Sequence, residues 1–206
     1  HCISSAASDV YKRQLEHLGS SSLISDVSQY TLNNLQKSYA QLDQGMVEQI
    51  VDILLSSDRK YIAGFRGTAC CAQYMASKLL FLTPHVVPIL HADATAVENL
   101  LDITERDCLF LYSFPRYSEI ARPLMEIARE SGAKVILMTD RRTSPLANKA
   151  DVVVTAQVDG LGFTNSYVAP LSLSEVILLS VSGRRDVTDS KRFNRIDSVM
   201  DREKLY

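Results

Sequence analysis

The chain has 206 residues, of which 46% are hydrophobic and 22% are charged, and its formal net charge is -2. This length fits one domain with appendages, and the composition is that of a globular protein and not of a disordered one. The slightly acidic balance gives no basic footprint for nucleic acid, so we expect the chain by itself to bind DNA poorly.

Residues 1–14 resemble a translated sequencing adaptor and are therefore set apart from the fold. The alternative is a natural polar tail, and both origins predict that the segment packs against nothing. The chain opens with His1 instead of Met, so we expect further residues upstream of it in the natural protein.

Residues 15–57 are predicted to form a helical connector. Between 23 and 42 the apolar residues recur mostly at three- and four-residue steps, which predicts an amphipathic helix. A second helix is predicted over residues 45–56, where apolar residues are dense.

Residues 58–183 alternate between short apolar runs and segments of helical length. The runs are Tyr61–Phe65, Val86–Leu90, Leu109–Tyr112, Val135–Met138 and Val152–Thr155, and the helical candidates between them are Ala69–Phe81, Thr95–Leu101, Ser118–Ser131 and a very short Pro145–Lys149. Strands that are apolar on both faces, joined by crossover helices, predict a buried parallel sheet. We therefore predict an α/β fold with a doubly wound, mainly parallel five-stranded sheet flanked by helices.

The C-terminal part of the chain is predicted to be helical. A helix from Tyr167 or Pro170 to Ser182 is apolar around much of its circumference, which predicts either a core position or an oligomer interface. The charged tail, residues 184–206, has the spacing of a thin amphipathic helix. We expect a homodimer or a homotetramer.

The four cysteines, Cys2, Cys70, Cys71 and Cys108, show neither CxxC pairing nor the spacing of a metal site. Adjacent cysteines do not normally bridge without strain, so we expect reduced thiols. No apolar run of about 18 residues and no signal-peptide pattern occur, so neither a membrane span nor export is predicted. The expected location is the cytoplasm, and no metal or cofactor is expected.

Two predicted loops combine hydroxyl groups with an arginine. In open parallel sheets ligands bind beyond the carboxyl ends of the strands, where free backbone N–H groups and helix dipoles favour anions. Hydroxyls and a guanidinium at these positions predict a phosphate site. The alternative for Thr68 and Ser118 is simple helix capping. The candidate binding residues are Gly64, Arg66, Gly67 and Thr68 in the first loop, and Ser113, Arg116, Tyr117 and Ser118 in the second.

Other chemistry is weakly indicated. Neither the GxGxxG nor the GxxxxGK[ST] pattern occurs, which disfavours nucleotide binding. An isomerase would need a placed acid or base, and no candidate is marked by its spacing. These candidates are His91, Glu98, Glu119 and Glu175. No catalytic residue is therefore predicted.

Three motifs in order resemble the SIS (phosphosugar-binding) domain of RpiR-type bacterial transcription regulators, over about Leu23 to Gly183. They are Gly64–Thr68 with the later Lys78-Leu79 pair, the run from Ser113 to Ser118, and Thr139-Asp140 followed by Ser144–Ala147. The resemblance implies a preceding helix-turn-helix domain, a helical connector, and a sensor that binds a phosphorylated sugar and commonly oligomerises. DNA would be bound only through that missing N-terminal domain.

The resemblance also implies that the hydroxyls of Thr68, Ser113 and Ser118 bind the phosphate. Arg66 stands where many relatives have a small residue, and Pro115-Arg116 replaces the Ser-Gly of the enzyme-like loop. These departures suggest arginine-assisted binding or a different acidic ligand, and they favour a non-catalytic sensor. The alternatives are a SIS-fold sugar-phosphate isomerase and a structural oligomerisation module without a ligand.

Overall fold

The computed structural model describes residues 22–161, 164–184 and 190–204, so the prediction for residues 1–14 lies outside the described ranges. Two helices lead into the sheet, α1 (Leu23–Tyr39) and α2 (Gln44–Ser56). The helix predicted to reach residue 42 ends earlier, because Asp43 adopts an extended conformation and caps α2. Its carboxylate accepts a hydrogen bond from the backbone N–H of Met46 at 2.8 Å.

The remaining elements alternate between strand and helix, as predicted. The strands are β1 (Lys60–Gly64), β2 (Val86–Ile89), β3 (Cys108–Tyr112), β4 (Lys134–Thr139) and β5 (Val152–Thr155), and the helices are α3 (Ala69–Leu82), α4 (Ala94–Glu98), α5 (Ala121–Glu130), α6 (Val168–Arg184) and α7 (Ser190–Arg202). All strand pairs are parallel and the strand order is β2-β1-β3-β4-β5. The predicted α/β fold class is confirmed.

The sheet is buried on both faces, and its side chains alternate between two cores. Phe110 and Tyr112 of β3 contribute to the core beneath α2, α3 and α6, whereas Leu109 and Leu111 contribute to the core beneath α4 and α5. Every residue of β1 and β3 is buried. This double burial explains why the strands appear in the sequence as continuous apolar runs.

The structure corrects several predicted helix bounds. The helix predicted from Ser118 begins only at Ala121, and the one predicted for Thr95–Leu101 is the shorter α4. The segment Pro145–Lys149 forms a single 3₁₀ turn, Ala147–Lys149, in which the backbone N–H groups of Lys149 and Ala150 donate to carbonyl oxygens three residues earlier.

Helix α6 is apolar around much of its circumference because several helices of the core surround it. It packs against α1, α2 and α3, and Leu173, Ile177 and Val181 are fully buried while Leu179 is 67% exposed. Among the described residues, no helix has both the length and the apolar content needed to cross a bilayer.

The strand order determines where a ligand can bind. The chain leaves β1 through α3 toward the β2 edge of the sheet, and it leaves β3 through α5 toward the β5 edge. Helices α3 and α5 contribute to cores on opposite faces. A crevice therefore opens between the loops after β1 and β3, and this switch point is where doubly wound sheets bind their ligands.

Gly64 is the residue at which α3 approaches the sheet most tightly. A Cβ there would lie 2.6 Å from the carbonyl oxygen of Thr68 and 2.9 Å from the Cβ of Ala72. We expect Gly64→Ala to lower the free energy of unfolding by about 1–3 kcal/mol through overpacking. Gly183→Ala is the matched control, since a Cβ there meets nothing within 4 Å. Urea denaturation of both variants measures the difference, and equal effects would contradict the close approach.

Candidate functional site

A cavity of about 440 Å³ opens at the carboxyl ends of β1 and β3. This volume lies within the range of small-molecule sites, roughly 300–1,000 Å³. Three segments line the cavity: the loop after β1, the loop after β3 and the chain that leads into α6. Their residues are Phe65, Arg66, Gly67, Thr68, Tyr112, Ser113, Phe114, Pro115, Arg116, Ser118, Ala121, Thr164, Asn165 and Tyr167. We refer to it as the switch-point cavity.

Most of the candidate residues meet in this cavity. Those that line it are Arg66, Gly67, Thr68, Ser113, Arg116 and Ser118. Gly64 and Tyr117 do not line it. Gly64 provides the close approach of α3, and the hydroxyl of Tyr117 donates a hydrogen bond of 2.7 Å to Oδ1 of Asp140, just after β4. Tyr117 instead lines a neighbouring cavity together with Ser118, Glu119, Arg122, Pro145 and Leu146.

The hydroxyl of Thr68 joins the first loop to β3. It accepts a hydrogen bond from the backbone N–H of Phe65 at 2.8 Å, and it lies 2.9 Å from the carbonyl oxygen of Phe65 and 3.3 Å from that of Tyr112. Thr68 precedes α3, but its side chain makes no hydrogen bond to the first turn of that helix. The hydroxyl therefore shapes the loop instead of capping α3.

Ser113 lines the cavity and carries a buried hydroxyl. The residue is 5% exposed, and no hydrogen-bond partner of its Oγ exists among the described residues. A buried polar atom without a partner costs about 1–3 kcal/mol, and a ligand that reaches such an atom recovers this cost. Ser118 also lines the cavity, and the capping alternative for it is wrong, since α5 starts after Ile120.

Both arginines of the cavity have a left-handed backbone. The φ angle is 56° at Arg66 and 64° at Arg116. This conformation is uncommon for residues other than glycine and costs free energy, so it persists only where the surroundings impose it. Among the described residues that line the cavity, these two arginines are the only ones with a charged side chain. The described lining therefore contains two guanidinium groups and no carboxylate.

The third lining segment was missed by the sequence analysis. The amide of Asn165 donates to the carbonyl oxygen of Pro115 at 3.3 Å, and the ring of Tyr167 packs edge-on against Phe114 at 6.0 Å between centroids. Gly67 permits this placement, because a Cβ there would lie 2.7 Å from the Tyr167 hydroxyl. Tyr167 thus contacts both loops. In the sequence, Tyr167 is marked only as a possible first residue of a predicted helix, and the segment before it has no periodicity.

The acid and base candidates lie elsewhere. His91 is exposed after β2 and Glu98 is on α4, while Glu119 lines the neighbouring cavity and Glu175 a groove between α3 and α6. Within the described ranges, no cluster of three or more metal-binding side chains occurs. Cys70, Cys71 and Cys108 are free thiols, and burial raises the pKa of Cys108 to about 11.

The hydroxyl of Thr68 should contribute to stability through its hydrogen bonds. Thr68→Val removes the partner of a backbone N–H in the loop, so we expect a loss of about 1–3 kcal/mol in the free energy of unfolding. Thr68→Ser keeps the hydroxyl and should lose less. Denaturant titration compares the two variants, and equal losses would show that the methyl group, and not the hydroxyl, supports the loop.

Tyr117 should titrate late. Its burial and its hydrogen bond to the carboxylate of Asp140 raise its pKa from 10.0 to about 12. The pKa of Tyr117 is higher in the folded protein than in the unfolded chain, so the protonated phenol stabilises the fold. This stabilisation is complete below about pH 10 and is lost as the pH rises through about 12. The difference in ultraviolet absorbance between the protein and Tyr117→Phe measures this titration. An Asp140→Asn variant should titrate at lower pH.

Residues 53–180 match the family model described as the SIS domain. No curated protein matches the chain in sequence.

Solved structures show the same fold at low sequence identity. The RpiR transcription factor from Sphaerobacter thermophilus (sugar isomerase domain) has a TM-score of 0.80 and 22% identity, covering 88% of this chain and 99% of that one. The NanR protein of Vibrio vulnificus, complexed with ManNAc-6P, has a TM-score of 0.74 and 16% identity, with coverages of 90% and 70%. A protein from Methanococcus jannaschii, for which the function of a 3-hexulose-6-phosphate isomerase has been inferred, has a TM-score of 0.63 and 15% identity. The match covers 81% of this chain and 95% of that one. Because the family model spans more than half of the sequence, the chain belongs to the SIS domain family.

Proposed function

We propose that the chain is the effector-sensing part of a transcriptional regulator and that it binds a phosphorylated sugar in the switch-point cavity. The observation that carries the proposal is the buried hydroxyl of Ser113, which lacks a partner among the described residues and belongs to a cavity lined by two arginines at the ligand-binding edge of the sheet. Similarity to an RpiR transcription factor and to NanR complexed with ManNAc-6P supports it.

A phosphate group suits the chemistry of this cavity. Phosphate oxygens accept hydrogen bonds from hydroxyls, and a guanidinium can grip two of them at once. Ser113 and Ser118 supply hydroxyls, and Arg66 and Arg116 supply two positive charges against a dianion. Hydrogen bonds to charged groups contribute about 1.5–3 kcal/mol each, so the loss of one such contact should weaken binding by roughly tenfold or more. Thr68 shapes the first loop in this scheme.

The DNA contact would be made by a helix-turn-helix domain that precedes this chain. The chain's own net charge of -2 gives no electrostatic reason for DNA binding. The regulator would work in the cytoplasm as a homodimer or homotetramer. An effector coupling of about 1–3 kcal/mol would change DNA affinity by 5–150-fold.

The second candidate is a SIS-fold sugar-phosphate isomerase, which the similarity to isomerase-like structures favours. Proton transfer at a sugar carbon needs an acid or base within hydrogen-bonding reach of the substrate. Among the described residues that line the cavity, none is Asp, Glu, His or Lys. This lining favours the sensor.

A thermal-shift screen tests the proposal. The panel contains sugar phosphates, amino-sugar phosphates and the matching unphosphorylated sugars. A ligand at a hundred times its dissociation constant adds about 2.7 kcal/mol of stability, so we expect a clear shift with a phosphorylated sugar and none with its parent sugar. Steady turnover of a sugar phosphate by the purified chain would instead favour the isomerase.

Arg116→Gly separates binding from folding. Glycine adopts the left-handed backbone of this position without strain, so we expect the variant to stay folded without ligand. Without the guanidinium it should lose most of the ligand-induced shift, as should Ser113→Ala. Arg122→Gln is the matched control, because Arg122 lines only the neighbouring cavity. An unchanged shift in both Arg116→Gly and Ser113→Ala would overturn this site.

A further inference from the structure

Polar side chains form the buried face of helix α1. Its buried residues are Asn34 and Ser38, whereas Ile24 is 87% exposed and Leu32 is 57% exposed. A surface helix ordinarily turns its apolar stripe toward the core. The docking of α1 on the domain therefore depends on directional hydrogen bonds more than on apolar burial.

These hydrogen bonds converge on the chain around the end of β5 and the start of α6. Two of them come from the buried residues of α1: the amide of Asn34 donates to the carbonyl oxygen of Asp159 at 2.7 Å, and the hydroxyl of Ser38 accepts from the backbone N–H of Gln157 at 2.8 Å. Just after α1, Oε1 of Gln41 accepts from the hydroxyl of Thr155 at 2.5 Å. The hydroxyls of Tyr39 and Ser172 are 2.8 Å apart. A movement of this stretch would break or shift several of them together.

The same stretch carries the third lining segment of the cavity. The backbone N–H of Ser166 donates to the carbonyl oxygen of Val158 at 3.0 Å, and a Cβ at Gly160 would lie 2.4 Å from the carbonyl oxygen of Thr164. The chain therefore folds back on itself, so the part that contacts α1 lies directly against the part that holds Asn165 and Tyr167.

The docking of α1 is also incompletely satisfied. Oδ1 of Asn34 is buried and has no hydrogen-bond partner among the described residues. An unpaired buried acceptor costs free energy in the docked arrangement, and each of the other hydrogen bonds makes only a modest net contribution. Small movements of the chain around the end of β5 and the start of α6 can therefore shift α1 between two docked arrangements of similar free energy. Such a pair of arrangements is what a switching element requires.

We propose that residues 155–161 and 164–167 couple the switch-point cavity to helix α1. A ligand that contacts Asn165 or Tyr167 moves this segment, and the hydrogen bonds of Asn34, Ser38 and Gln41 move with it. The identity of the ligand rests on the proposed function, whereas the mechanical coupling does not. Because coupling is reciprocal, changes on α1 also alter ligand affinity.

The first test is amide hydrogen exchange on the full chain without ligand. Asn165→Ala changes a cavity residue that makes no hydrogen bond to α1, and we expect the exchange of α1 amides near Asn34 and Ser38 to change by about fivefold or more. Asn99→Ala, at an exposed asparagine just after α4, is the matched control and should leave them unchanged. Amides of β3 show whether the core stays folded. Unchanged α1 exchange in Asn165→Ala would overturn the coupling.

The reciprocal test measures binding. Ser38→Ala should change the affinity for inorganic phosphate and ManNAc-6P, used as probes, by about fivefold, although Ser38 does not line the cavity. Ser28→Ala, on an exposed part of α1, should not. Equal affinities for Ser38→Ala and the unchanged chain would contradict the coupling. If neither probe binds the unchanged chain, the thermal-shift panel decides the proposed function, while the exchange experiment still decides the coupling.

Discussion

Strands β1 and β3 lie side by side in parallel, with Gly64 opposite Tyr112, yet the chain leaves them toward opposite edges of the sheet. This divergence opens a crevice that neither following helix can fill. The hydroxyl of Thr68 holds the crevice in shape, because it binds the loop after β1 and also reaches the last carbonyl of β3. The placement of Ser113, Arg116 and the ring of Tyr167 follows from this arrangement.

The site departs from the most stable local structure in several ways. Two arginines have a left-handed backbone, and the hydroxyl of Ser113 is buried without a partner in the described chain. Each departure costs free energy that the two cores offset. Such costs concentrated at one cavity are expected where a ligand completes the structure, since a ligand oxygen can accept a hydrogen bond from a buried hydroxyl.

The sheet could be predicted from the sequence because its strands are buried on both faces. Each strand is therefore a continuous apolar run, such as Leu109–Tyr112, and helical segments separate the runs clearly. The sequence also predicted the two loops, since parallel strands bring their carboxyl ends to one edge. The contribution of Asn165 and Tyr167 to the cavity was not predicted, because their contacts with the loops are tertiary contacts that leave no local pattern in the sequence. Tyr117 could not be placed because its orientation depends on Asp140, a partner after a different strand.

The proposed regulatory role rests on different observations from those that establish the fold. The fold and the family follow from the sheet and the match over residues 53–180, whereas the ligand follows from the chemistry of a few side chains. In the proposed regulator, the polar docking of α1 would offer a physical route from the ligand to the DNA-binding domain, because hydrogen-bonded contacts can be exchanged without exposing a large apolar surface.

A crystal structure of the chain with a bound phosphorylated sugar tests the central claim most directly. The account predicts that the phosphate lies in the switch-point cavity, within hydrogen-bonding reach of the Ser113 and Ser118 hydroxyls and of the Arg116 guanidinium. A phosphate bound instead in the neighbouring cavity beside Tyr117 and Arg122, with the Ser113 hydroxyl still unpaired, would contradict it.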